Sequence, residues 1–156
     1  GPIIAGTVKQ FYSDIIWGDI DYMFIDCPPG TGDVPLTIFQ SIPIDGVVVV
    51  TTPQDLVSVI VGKAVHMADS MNIPVIGMIE NMSYFICPDC NNKHYIFGKS
   101  QLEQVIRDLY IGHAIRLPIN PSLAGLMDRG EIEHMEANAD LQEFADLIST
   151  FDPDKY

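Results

Sequence analysis

Tyr22-Met23-Phe24-Ile25-Asp26-Cys27-Pro28-Pro29-Gly30-Thr31-Gly32-Asp33 joins an apolar run to a rigid turn, with one carboxylate at the join and a second at the close. A buried strand that delivers an aspartate at its C-terminal end is how nucleotide-hydrolysing α/β proteins hold Mg²⁺. Pro28 and Pro29 fix φ, while Gly30 and Gly32 let backbone N–H groups come close to a ligand. The plainer reading is a strand followed by a turn, with Asp33 as the N-cap of the next helix.

The flanking sequence alternates helix and strand. Ile4, Val8, Phe11, Tyr12, Ile15 and Ile16 recur at near-helical spacing over 3–16, and Trp17-Gly18-Asp19 ends that helix. The spacing predicts a first strand over 22–26 and a short helix over 34–42. Gly46-Val47-Val48-Val49-Val50-Thr51 has no polar face, as a buried parallel strand requires. Thr52-Pro53 reads as an N-cap with proline at the first helical position, opening a helix with Leu56, Val57, Ile60, Val61, Ala64, Val65 and Ala68 on one face. Asn72 breaks it, and a third strand runs over 74–80. Beyond an insertion at 81–98 come a helix at 100–109 and a strand at 113–117. A helix capped by Asn120-Pro121 follows and stops at Gly130, and a last helix spans 139–150. Residues 151–156 are expected to fray. Strands alternating with helices give an α/β fold with a mostly parallel sheet and flanking helices.

The chain has 156 residues, enough for one domain with a real core, and is 47% hydrophobic and 19% charged. Its formal charge of −13 opposes both a nucleic-acid surface and an anionic membrane. It says little about ATP, whose phosphates are held by local backbone dipoles and a metal. No apolar run approaches membrane-spanning length and no secretory signal is present. With three cysteines, two of them spaced C-x₂-C, the sequence points to a reducing cytoplasm and a metal or redox role.

Cys87 and Cys90 carry the sharpest chemistry. Two thiolates in a C-x₂-C turn chelate one metal or two corners of an iron–sulfur cluster. One pair supplies two of four ligands. Either His94 and another residue complete a zinc site, or a second chain brings its own pair. The other histidines show no paired zinc spacing. Gly98-Lys99-Ser100 has the ending of a phosphate loop, but the pattern G-x₄-G-K-S/T needs glycine where Lys93 stands. Cys27 reads as a small buried hydrophobe.

Asp26-Cys27-Pro28-Pro29-Gly30-Thr31-Gly32-Asp33, Thr51-Thr52-Pro53-Gln54, Glu80-Asn81-Met82-Ser83-Tyr84, and Cys87-Pro88-Asp89-Cys90 followed by Ile96-Phe97-Gly98 occur in this order. In these four motifs the chain closely resembles the C-terminal part of the Mrp/ApbC family, over residues 1 to about 150. These are iron–sulfur cluster carrier ATPases of the MinD-like, deviant Walker A branch of P-loop proteins. The resemblance implies a partial P-loop NTPase fold lacking the P-loop strand, with 1–150 as the C-terminal portion of one domain and a cysteine-pair insertion at 81–98. It implies that Asp26 is the Walker B carboxylate for Mg²⁺, and that Gly30 and Asp33 belong to the switch that senses the γ-phosphate. Asn81 is similar to the asparagine that contacts adenine, and Pro118 to the loop that closes over the base. Cys87 and Cys90 match the pair that, from two subunits of a homodimer, holds a bridging 4Fe–4S cluster for apo client proteins. The family's glycine-rich loop has no counterpart here. The resemblance therefore implies a fragment of a longer cytoplasmic ATP hydrolase, itself expected to hydrolyse no ATP.

Two other functions compete with this one. The first is a non-catalytic, zinc-binding dimerisation module. The second is a MinD-like positioning ATPase, opposed by the cysteine pair and by the lack of a basic amphipathic tail. By the same resemblance the P-loop strand lies between the strands at 22–26 and 46–51. Buried backbone groups left unpaired cost ~1–3 kcal/mol each. The expectation is therefore that these two strands pair directly in parallel, or that another chain's strand fills the slot.

Overall fold

The structure, a computed structural model, describes residues 2–54, 57–136 and 138–155. Its helices are α1 (Pro2–Ser13), α2 (Asp33–Ser41), α3 (Val57–Ser70), α4 (Leu102–Asp108), α5 (Pro121–Arg129) and α6 (Ala139–Ser149). Its strands are β1 (Val47–Thr51), β2 (Val75–Ile86), β3 (Lys93–His94) and β4 (Ala114–Pro118). Short 3₁₀ turns lie at Ile132–His134 and Pro153–Lys155, the latter within the expected tail. Tyr156 lies outside the described residues. No helix is long and apolar enough to cross a membrane among the described residues.

The sheet is built on β2. It pairs in parallel with β1 on one side and with β4 on the other, while its last residues pair antiparallel with β3. Parallel neighbours need a crossover, and α3 supplies it between β1 and β2. Side chains alternate along a strand, so Gly77 and Met78 face opposite ways. Met78 is fully buried in a cluster with Val49, Val61, Val65, Leu102 and Ile111, which places α3 and the start of α4 on that face. Gly77 meets Phe144 of α6 on the other: a Cβ built there would lie 2.8 Å from the Phe144 ring and 2.9 Å from the His113 carbonyl oxygen. The result is helix, sheet, helix, the expected α/β fold.

Local chemistry sets several ends. Asn120 caps α5 by accepting a hydrogen bond from the Ser122 N–H at 3.0 Å, with Pro121 at the first helical position. Gly130 ends α5 in the left-handed region, φ 67°. Asn72 does the same after α3 at φ 55°, where the Ile73 N–H donates to the Ala68 carbonyl and the Asn72 N–H to that of Asp69. These two bonds are the pattern by which a left-handed residue closes a helix.

Four expectations fail. Residues 22–26 form no strand, and they do not pair with β1. Phe24 is 76% exposed and its ring stacks on Tyr22. The penalty for unpaired backbone applies to buried groups. Here the run stays at the surface, where its N–H and C=O groups can bond to water. The outer edge of β1 is likewise unpaired among the described residues, and Val50 is 63% exposed.

Asp33 is not the N-cap of α2. Gly32 holds that place and Asp33 opens the first turn. Thr52 and Pro53 do not start α3. They lie in the link after β1, where the Gln54 N–H donates to the Thr52 carbonyl, and the described helix begins at Val57. Asp55 and Leu56 lie outside the described residues. Finally, the insertion does not begin where the third strand stops, because β2 continues to Ile86.

Gly77→Ala is expected to lower the unfolding free energy by about 1–3 kcal/mol through overpacking against Phe144 and the β4-side backbone. Urea unfolding reads this as a lower midpoint at unchanged slope.

Candidate metal centre and switch segment

The cysteine pair sits at the tip of a hairpin that grows out of the central strand. β2 leaves the parallel sheet at a bulge: Glu80 pairs with Arg116 of β4, yet the next β4 partner, Pro118, stands opposite Tyr84. Met82, within the bulge, has φ 55°, an uncommon conformation for a long side chain. Past the bulge, Phe85 pairs with His94 and Ile86 with Lys93. Lys93 Nζ lies 4.2 Å from the centre of the Tyr84 ring, a cation–π contact that ties the returning strand to the outgoing one.

The turn between them is closed by two backbone bonds. The Cys87 N–H donates to the Asn92 carbonyl at 3.0 Å, and the Asn91 N–H donates to the Cys87 carbonyl at 2.9 Å. Asn91 adopts φ 56°, which asparagine tolerates better than most residues. The turn folds the chain back so that Cys87 Sγ, Cys90 Sγ and a ring nitrogen of His94 all lie within 4.8 Å of one another. This is the one such group of three or more potential metal ligands found among the described residues. Cys87 is half-buried and Cys90 exposed. The N–H groups of Cys90 and Asp89 point at the Cys87 sulfur and, with the Cys90 thiol, hold its pKa below the usual thiol value. Thiolate is the form that binds metal. Cys27 goes the other way: burial and then the neighbouring Asp26 charge push its thiol up. Cys27 is half-buried, short of the buried position expected for it. Ile86, Tyr95, Ile96 and Phe97 leave an exposed apolar surface around the tip.

A second feature escaped the sequence reading. Glu80 is 3% exposed. Its carboxylate accepts hydrogen bonds from the Ser83 hydroxyl and, at 2.9 Å, from that of Ser100. Arg116 Nε donates to the Ser100 hydroxyl at 3.2 Å and lies 3.7 Å from the carboxylate, while its guanidinium also reaches Glu103. The Leu102 N–H donates to the same serine oxygen, so Ser100 joins the start of α4 to the sheet and has no phosphate-loop geometry. An acid at the end of an apolar strand, with an arginine in the following strand, was the available signal.

The switch residues lie on the link into α2 and in its first turn. Asp26 is exposed at the end of the apolar run, Gly30 has φ 90° and Asp33 is in the first turn of α2. Neither aspartate belongs to a cluster of three metal-ligating groups among the described residues. Asn81 is exposed beside the carboxyl end of β1, its amide oxygen accepting from the Met82 N–H at 2.9 Å. Pro118 ends β4 opposite Tyr84. A cavity past the carboxyl end of β1, lined by Thr51, Thr52, Pro53, Gln54 and Glu80 among others but by neither Asn81 nor Pro118, measures about 20 Å³. That admits a single water, whereas small-molecule pockets run to roughly 300–1,000 Å³.

A family model described as NUBPL iron-transfer P-loop NTPase (ParA) matches residues 1–151. An iron–sulfur cluster carrier protein of Methanocaldococcus jannaschii is 47% identical over 131 residues, covering 83% of this chain and 45% of its own length. A protein of Schizosaccharomyces japonicus named "probable cytosolic Fe-S cluster assembly factor" is 40% identical over 143 residues, covering 86% of this chain and 23% of its own. A solved nucleotide-binding protein from Archaeoglobus fulgidus, in complex with ADP and with cobalt found in it, superposes with a TM-score of 0.81 at 41% identity, over 91% of this chain and 58% of that one. The chain spans about half the length of the curated carrier proteins it matches.

The opposite displacement of the two thiols is open to measurement. Under limiting iodoacetamide, Cys87 is expected to alkylate at lower pH than Cys27, because its thiolate is present where Cys27 is still a thiol. Peptide mass spectrometry across a pH series reads both sites. Equal pH profiles would contradict the backbone N–H assignment.

Proposed function

Because the chain belongs to the NUBPL iron-transfer P-loop NTPase family, we propose that it is part of an ATP-dependent carrier that binds iron–sulfur clusters and passes them to apoproteins. One observation carries this reading above the others: two cysteine sulfurs converge in an exposed, hydrogen-bonded turn, one of them biased toward thiolate. In a homodimer, the Cys87 and Cys90 pairs of two chains bring four thiolates to the two-fold axis, the set that a 4Fe–4S cargo requires. The exposed apolar residues around the tip suit burial in that interface.

In the same reading, residues 1–150 are the C-terminal portion of one NTPase domain and 151–156 its tail. A glycine-rich loop outside this sequence cradles the phosphates of ATP. Asp26 holds Mg²⁺ directly or through water, and Gly30 and Asp33 respond to the γ-phosphate. Asn81 reads the adenine edge and Pro118 lies in the loop over the base. With that loop outside this sequence, this chain alone binds ATP poorly and hydrolyses none. The place of action is the cytoplasm, with neither nucleic acid nor membrane as partner.

Anaerobic reconstitution with ferrous iron and sulfide tests the cargo. Broad visible absorption is expected, lost in Cys87→Ser and Cys90→Ser variants. Colourless protein that retains stoichiometric zinc would instead favour a structural zinc module. Calorimetry tests the nucleotide half: this chain is expected to show no micromolar ATP binding. Such binding would reveal a phosphate cradle within these residues.

A further inference from the structure

β4 pairs with β2 along one edge and has no strand on the other among the described residues. The Met78 N–H donates to the His113 carbonyl. In a parallel ladder that phase turns the backbone groups of His113, Ile115 and Leu117 toward β2, and those of Ala114 and Arg116 outward. A cavity of about 510 Å³ lies along this free edge. One wall is α4, through Leu102 and Ile106, and the other is α6, through Asp140 and Glu143. The walls belong to opposite faces of the sheet: Arg116 reaches Ser100 and Glu103 on the α4 side, while Phe144 of α6 packs on Gly77. The groove therefore has main-chain donors and acceptors for its floor and a different chemistry on each side.

We propose that this groove takes an extended segment of another protein as an added strand on β4, with apolar and basic side chains alternating along it. An unpaired edge is a template for strand addition, in which main-chain bonds hold the segment and alternate side chains select it. The five residues of β4 span roughly 16 Å, enough for a segment of similar length. Pro118 offers no N–H, so the pairing stops there. Successive side chains of the segment point to opposite faces. On the α4 side they meet Leu102 and Ile106, since Glu103 is already bonded to Arg116 at 2.9 Å. On the α6 side they meet Asp140 and Glu143, which lie three residues apart on the helix and join no ion pair among the described residues. The charged bases of the lining are engaged, Arg116 with Glu103 and Lys93 over the Tyr84 ring. The unpaired charge of the groove is thus negative, as is the chain as a whole at −13, and a lysine or arginine of the incoming segment complements both. The groove uses neither the cysteine pair nor Asp26, Gly30, Asp33 or Asn81, and it stands whether or not the chain carries clusters.

The probe is a capped, fluorescein-labelled octapeptide of alternating valine and lysine, added to the whole chain and read by anisotropy and by amide hydrogen exchange. Saturable binding of one peptide per chain is expected. The Ala114 and Arg116 amides should gain protection, while those of Ile115 and Leu117, already turned to β2, should not change. Regrouping the same valines and lysines into two blocks should weaken binding at least tenfold, as should Asp140→Lys with Glu143→Lys. N-methylating the valines and N-methylating the lysines should give different results, because only one set turns its N–H groups to β4. The changes made in the peptide leave the protein untouched, so they separate loss of the groove from misfolding. No saturable binding overturns the proposal. So does equal binding by the blocked and both N-methylated peptides, which would show attraction to negative charge alone. Protection of the Ala114 and Arg116 amides before any peptide is added, in this chain or in a longer form of the protein, also overturns it, and gives the groove to a second copy or to flanking sequence.

Discussion

The backbone of β2 bonds on both sides, to β1 through the pairs from Val75 to Glu80 and to β4 from Met78 onward. That double ladder is the constraint from which the other positions follow. Because both neighbours are parallel, each link must cross a face of the sheet, and the crossing segments bring α3 and the start of α4 over Met78. Gly77 lets Phe144 of α6 settle on the opposite face, where any larger residue would strike its ring. A strand buried on two faces and bonded along two edges has little freedom to slip, since a shift by one residue would exchange Gly77 for Met78 against α6.

Burying the Glu80 carboxylate at the end of that ladder is costly unless it is paired and hydrogen-bonded. Two hydroxyls and Arg116 meet that condition, drawn from the bulge, from the loop before α4 and from β4. The Ser83 bond also spans the bulge, so the irregular part of β2 is fastened at the point where it leaves the parallel sheet. Breaking one partner would strand a buried charge, which is why such networks fix one arrangement more firmly than they stabilise it.

What the sequence disclosed follows from whether the signal was local. The β1 valine run, the Asn120-Pro121 cap, the Gly130 stop, the α6 periodicity and the C-x₂-C turn are set by neighbouring residues, and the structure has each of them. Tyr22–Ile25 carries a strand composition, but a strand exists only when a neighbour takes up its backbone bonds, and that partner is not written in the run itself. Thr52-Pro53 has the letters of a helix start, yet the chain turns there and the described helix opens later. Glu80 and Ser100 are far apart in sequence, and their bond became visible only once the β2–β4 register placed Arg116 beside them. The Cys–Cys–His cluster stood between these cases. Both cysteines were legible from spacing, while the approach of His94 depended on where the hairpin turned.

The hairpin tip and the proposed adenine contact share one element. Asn81 lies on β2, and Cys87, six residues on, stands just past its end. Between them stand the bulge at Met82, the buried Ser83–Glu80 bond and the Tyr84–Pro118 pair. A nucleotide seated at the Asn81 edge would therefore press on the portion of β2 where its pairing with β4 breaks register. On the sheet side this portion is fastened by Glu80 and its partners, and on the hairpin side by the Phe85–His94 and Ile86–Lys93 pairs, the Lys93–Tyr84 contact and the two backbone bonds of Cys87. The end of β2 that has left the parallel sheet is thus the end that leads into the Cys87–Cys90 turn.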